Sequence, residues 1–186
     1  MRRRAALATI GAALSGLAGC ATETGSPTPA ALDFSLPAFE SGRVPPRFTC
    51  DAAEPVSPPV AIERVPEPTE SLAFAVEFPN DVGSVLAHWS IWDIPPDTRE
   101  IPRGVPPTKT VPSLGGAKQG RNEIGRVGYL PLCPPPGDPR EFWFTLYALR
   151  EPLDLPGGAS KDDFDEALES AQLAGRLLTA TYERGE

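Results

Sequence analysis

Proline interrupts this chain too often for a helical fold. There are 24 prolines among 186 residues, and they separate almost every apolar run from the next. A proline inside a helix removes a backbone donor and clashes with the turn before it, costing about 3 kcal/mol. Together with the 17 glycines, the two breakers make up about 22% of the chain, short of the roughly 25–30% that marks disordered sequence. Hydrophobic residues supply 40%, enough for one packed core, and the length suits a single domain. The expected product is mainly β, with long Pro- and Gly-rich loops.

Hydrophobic periodicity places the strands. Residues 72–78 alternate large apolar side chains with small or charged ones, the period of a half-buried strand. Residues 87–94 form a second strand. Residues 142–149 are a nearly continuous aromatic and aliphatic run, which suits a central strand covered on both faces. Residues 32–36, 60–62 and 177–182 are shorter candidates. One helix stands out. Ser160 can cap it, Asp162 and Asp163 meet the positive end of its dipole, and Phe164, Ala167, Leu168, Ala171 and Ala174 follow helical spacing up to Gly175. Residues 95–128 and 131–139 read as long loops, of the kind that is functional or held by its own side chains. The acidic face of Asp162, Asp163, Asp165, Glu166 and Glu169 reads as solvated rather than as a calcium site, since no EF-hand loop pattern is present.

The N-terminus reads as an address. Arg2, Arg3 and Arg4 precede an apolar run over 5–18 that is too short to span a bilayer, which needs about 20 residues. The run ends Leu17-Ala18-Gly19-Cys20, which resembles the lipobox of secreted lipoproteins, where the cysteine is lipidated. Arg3-Arg4-Ala5-Ala6-Leu7 also resembles a twin-arginine signal. The alternative is an ordinary signal peptide with an incidental Cys20. The expected organisation is a signal over 1–19, a lipidated Cys20 and tether over 20–32, and a folded domain over 33–186. The expected location is the outer face of the cell membrane, reached by export. Without its three leading arginines the chain has 14 basic against 25 acidic side chains, near −11. That excludes a general nucleic-acid binder, which needs a basic face to displace counterions.

Two counts limit the chemistry. One histidine, His88, and three cysteines cannot form a His-rich catalytic metal site or a four-cysteine zinc site; the count leaves a carboxylate-ligated site open, and the expectation is no metal and no cofactor. If Cys20 carries lipid, Cys50 and Cys133 remain for pairing in an oxidising compartment, or stay as buried thiols. No Gly-x-Ser-x-Gly is present and no second imidazole could serve a nucleophile, so the chain reads as a non-enzyme.

Several segments in order resemble one family. They are Phe48-Thr49-Cys50-Asp51 with Ser57-Pro58-Pro59, Ala87-His88-Trp89 with Ile94-Pro95, and the long loop from Gln119 through Gly120, Arg121, Asn122, Gly125, Gly128 and Tyr129. Cys133-Pro134-Pro135-Pro136-Gly137, then 144–149 and Gly157-Gly158-Ala159-Ser160, complete the series. Together they resemble the phosphatidylethanolamine-binding proteins, in their prokaryotic Raf-kinase-inhibitor-like branch. The resemblance implies a β-sandwich with a large antiparallel sheet, a C-terminal helix, and a small pocket for phosphate-like anions.

The pocket pattern is altered. Where the family has an Asp-Pro-Asp-x-Pro turn, this chain has Phe78-Pro79-Asn80-Asp81-Val82, and where the family has His-Arg-Tyr it has Arg140-Glu141-Phe142. His88 is kept, and Cys133 stands where the family's backbone lines the pocket. The resemblance thus implies a ligand site of His88, Arg140, Asn80, Cys133, Phe78 and Phe142. Its ligand would be a small anionic or phosphate-containing molecule, bound by the His88 imidazole and the Arg140 guanidinium. The alternative is a protein-interaction or inhibitor module with a vestigial pocket, meeting a protein partner through the loops at 95–112 and 131–139. The arrangement of Phe78 and Phe142 discriminates the two.

Overall fold

The computed structural model describes residues 31–185. The signal over 1–19, the lipidation at Cys20 and nearly all of the tether over 20–32 lie outside the described residues.

Two antiparallel sheets stack face to face. The large one orders its strands β6 (Thr110–Val111), β7 (Ala117–Gln119), β4 (Val85–Ile94), β3 (Ser71–Pro79), β8 (Arg140–Leu149) and β9 (Gln172–Tyr182). The small one orders β1 (Asp33–Ser35), β2 (Val60–Arg64) and β5 (Glu100–Ile101). Among the described residues a single α-helix, α1 (Lys161–Ala171), covers the other face of the large sheet. The expected β-sandwich with a large antiparallel sheet and late helix is the architecture found.

The period of two explains the layers. On β3, Leu72, Phe74 and Val76 enter the core between the sheets, while Ala73 and Ala75 face α1 and let Phe164 and Leu168 approach. On β8 the even residues from Phe142 to Ala148 are buried in the main core, and the odd residues from Trp143 to Tyr147 are half-buried beneath the helix layer. On β4 the alternation breaks at two register shifts against β3, one near Asp93 and one at His88. Ile91 and Ile94 both face the main core and Trp92 faces α1, because Asp93 takes a left-handed conformation (φ 56°) at a register shift against β3. Asp93 is held there by Lys118, 2.8 Å away, and by the Leu153 N–H, which donates to it at 2.8 Å.

Two expectations need correction. The helix does not run on through Ala174 to Gly175. It begins with a capping box between Ser160 and Asp163, ends at Ala171, and passes directly into β9. Helical spacing continues to Ala174, but residues from Gln172 onward pair with β8, and those long-range hydrogen bonds outweigh another helical turn. Nor is 95–128 an uninterrupted loop, since it contains β5, β6 and β7.

That Pro-rich segment is pinned by Gln119, which is 0% exposed. Its Nε2 donates to the carbonyls of Pro106 (2.7 Å) and Thr108 (2.8 Å), and its Oε1 accepts from Trp89 Nε1 (2.7 Å). The amide is fully used, so it is compatible with burial. A second tie is the Cys50–Cys133 disulfide, which closes a separation of 83 residues.

Both ties predict measurable losses in urea unfolding. Gln119→Leu leaves the Trp89 indole N–H and the Thr108 carbonyl without this partner, while the Pro106 carbonyl still accepts from the Thr108 N–H, so at about 1–3 kcal/mol per unpaired group the variant is expected to lose roughly 2 kcal/mol. Reduction of the disulfide is expected to lower stability by roughly 4–5 kcal/mol on the chain-entropy account. A reduced chain as stable as the oxidised one would contradict it.

Candidate functional site

His88 sits on β4 at a register shift against β3, between Trp89, which pairs with Val76, and Ala87, which pairs with Glu77. A bulge of this kind re-aims a side chain that regular alternation would place elsewhere. The imidazole is nearly buried, at 4% exposure. Its Nδ1 lies 3.1 Å from the Leu130 carbonyl, and the Leu130 N–H donates back to the His88 carbonyl at 2.7 Å. A carbonyl can only accept, so the proton resides on Nδ1 and Nε2 keeps its lone pair.

Two aromatic rings complete the surroundings. Phe142, at the start of β8, is 0% exposed and meets His88 edge to face, with centroids 5.5 Å apart and planes at 88°. Phe78, near the end of β3, lies on Phe142 at 5.0 Å and 32°. His88, Phe78 and Phe142 thus form one cluster, in which the phenyl rings occupy space beside the imidazole.

Arg140 and Asn80 do other work. Arg140 Nη1 donates to both oxygens of Asp81, at 2.8 and 2.9 Å, so the guanidinium already holds a carboxylate at the rim. Asn80 Oδ1 accepts from the N–H groups of Val82 (3.1 Å) and Ser84 (2.8 Å), closing the turn between β3 and β4. Cys133 lies three residues beyond Leu130 on the same loop and is bonded to Cys50. The Leu132 N–H donates to the Phe48 carbonyl, and the Tyr129 hydroxyl donates to that same carbonyl at 2.6 Å. The loop that holds His88 is therefore fastened to the 48–51 segment by backbone, side chain and disulfide. Tyr182 Oη and Asp51 Oδ2, 2.5 Å apart, extend the fastening to β9.

Burial pushes the His88 pKa below its ordinary 6.5, against the opposing pull of the Leu130 carbonyl and of Glu123. The same desolvation pushes the Tyr129 hydroxyl far up, so it stays a donor. The centre of the site is thus aromatic and buried, with the neutral imidazole favoured, while its charges lie on the rim. Residues missed by sequence reasoning include Leu130, which acts through its backbone and leaves no side-chain signal. Asp81 was equally hidden, because its partner is set by the turn that Asn80 closes.

A stability prediction follows from the buried imidazole. Above pH 6.5 it is neutral in both the folded and the unfolded chain. As pH falls below 6.5 the unfolded chain binds the proton first, so stability declines until the lower folded-state pKa is reached. Thermal unfolding followed across this window should show the decline in the native chain and lose it in His88→Asn. An identical profile in both would contradict the assignment.

With this geometry in hand, comparison with known proteins is direct. Residues 35–183 match the family model described as Phosphatidylethanolamine-binding protein. A UPF0098 protein of Methanothermobacter thermautotrophicus is 42% identical over 146 residues, covering 78% of this chain and 94% of the relative. A Mycobacterium tuberculosis protein that carries the provisional name lipoprotein LppC is 33% identical over 162 residues, covering 85% of this chain and 76% of its own. Among solved structures, YbcL of E. coli, described as a member of the mammalian PEBP family, superposes with a TM-score of 0.75 at 26% identity. It covers 83% of this chain and 99% of its own. The chain belongs to the phosphatidylethanolamine-binding protein family.

Proposed function

We propose that this chain is a non-enzymatic, membrane-tethered binding protein that engages a protein partner through its surface while the family's anion pocket is closed. The observation that carries this reading is the cluster of Phe78, Phe142 and His88. An entering anion would have to displace two phenyl rings and would then meet a neutral imidazole. It would also compete with Asp81 for Arg140. Each step opposes binding, because desolvating an anion without a matched cation is costly.

The tether is supported by Leu17-Ala18-Gly19-Cys20 and by the relative named as a lipoprotein. A non-catalytic role is supported by the state of the reactive groups among the described residues. The one imidazole is nearly buried, and both described cysteines are joined to each other. For the partner surface, the Pro-rich loops at 95–112 and 131–139 expose Pro102, Pro106, Pro107, Pro135, Pro136 and Pro139. Buried Ile101, Val105, Val111 and Leu132 anchor the same loops. Loops already pinned lose little conformational freedom on docking.

Calorimetric titration with inorganic phosphate and phosphoethanolamine tests the closed pocket. The native chain is expected to show no saturable binding up to millimolar ligand. A variant carrying Phe78→Asp, Arg140→His and Phe142→Tyr restores the family's residue types and is expected to gain binding. Saturable binding by the native chain that disappears in His88→Ala and Arg140→Ala would overturn the reading and restore the anion site.

A further inference from the structure

The face of the large sheet that carries α1 is covered only in part. Trp143, Thr145 and Tyr147 of β8 point to that face, and β9 sets Thr179, Leu177 and Gly175 directly beside them. α1 lies over Ala73, Ala75 and Trp92, and its Phe164 reaches Tyr147 with ring centroids 6.5 Å apart. Toward β9 the face is open: Leu177 is 46% exposed, Thr179 is exposed, and Trp143 and Thr145 are half-buried. The floor of this trough is therefore an indole, a leucine and two threonines. Its walls are acidic. Lys161, Asp165 and Glu169 stand at every fourth position along one side of α1. That side faces β3 and β8, because Lys161 Nζ lies 2.7 Å from Glu77 and 2.6 Å from Asp165. Burial, and then Glu77 and Asp165, push the nearby Tyr147 hydroxyl above its ordinary pKa. At the other end of the floor Glu141 accepts from Trp143 Nε1 at 3.2 Å. Among the described residues of α1 and of this face of β3, β8 and β9, Lys161 is the one cation, and two carboxylates already hold it.

We propose that this trough is a docking surface for a cationic peptide segment of a protein partner, one that carries arginine or lysine together with apolar side chains. Charge complementarity selects this occupant. A guanidinium or ammonium lying over Trp143 meets the negative face of the ring and the Glu141 carboxylate at once. A second cation of the segment pairs with Asp165 or Glu169 on the wall, and its apolar side chains cover Leu177 and remove it from water. An acidic segment is repelled, and so is a second copy of a chain with 25 acidic against 17 basic side chains. The proposal extends the protein-partner reading to a surface apart from the aromatic cluster at His88, so the phosphate titration and the test below fail independently.

Fluorescence anisotropy of a labelled peptide of Arg-Arg-Leu-Leu repeats, titrated with the purified full chain, tests the proposal, with thermal unfolding to show that each variant stays folded. The native chain is expected to bind saturably, and more weakly as salt is raised. Glu141→Lys should weaken binding about tenfold, and Leu177→Gln, which leaves the charge unchanged, at least about threefold. Glu63→Lys makes the same charge change on β2, across the sandwich, and should leave binding as it was. A peptide of Glu-Glu-Leu-Leu repeats should not bind. No saturable binding by the native chain, or equal weakening by Glu63→Lys, would overturn the proposal. Self-association of the native chain that is lost in Leu177→Gln, with no peptide binding, would give the face to a second copy and overturn it equally.

Discussion

The imidazole of His88, buried with its Nδ1 proton given to the Leu130 carbonyl, is the interaction on which the candidate site depends. It fixes the tautomer, and burial makes the charged form unfavourable. It also sets the position of the 129–133 loop, because Leu130 returns a hydrogen bond to the His88 backbone. That loop is tied in turn to the 48–51 segment through Tyr129, Leu132 and the Cys50–Cys133 disulfide. A neutral ring in this setting is best neighboured by other rings, and Phe142 supplies the edge-to-face contact that aromatic quadrupoles favour.

The charges of this region lie at its rim. In the family pattern, histidine, tyrosine and aspartate would surround a small anion. Here Phe78 stands in place of the first aspartate, and the second position, Asn80, uses its carboxamide to close a turn. Arg140 is engaged by Asp81 through both carboxylate oxygens. A guanidinium held in this way, through its Nη1 alone, is a rim ion pair of small energetic weight in water. On the proposed reading, the fold of the family is retained while the site it frames is closed by apolar side chains, a case in which fold alone does not convey function.

Much of the scaffold was legible in the sequence. Strands β3, β4 and β8 are long, and each has one face in the main core, so alternation exposed β3 and apolar runs exposed β4 and β8. Strands β5 and β6 are two residues long, too short for any period to register. The helix was overextended because Ala174 keeps helical spacing, whereas its conformation is set by pairing with Ala148 across the sheet. Gln119 went unrecognised as a structural centre, since an amide looks the same in sequence whether solvated or holding two carbonyls and an indole N–H. In the site, the departures at 78, 140 and 142 were visible as residue types. Their consequence was not, because it rests on a ring-to-ring distance of 5.0 Å between β3 and β8. The partner that engages Arg140 depends likewise on the conformation of a four-residue turn.

Because the chain has a single histidine, one set of imidazole resonances reports on this site alone. Nuclear magnetic resonance titration of His88 with pH, in the absence and presence of millimolar phosphate, tests the account most directly. The account predicts an apparent pKa below 6.5 that phosphate leaves unchanged. A pKa that rises when phosphate is added, with saturable shifts of the ring signals, would show an imidazolium binding an anion and would contradict the closed aromatic pocket.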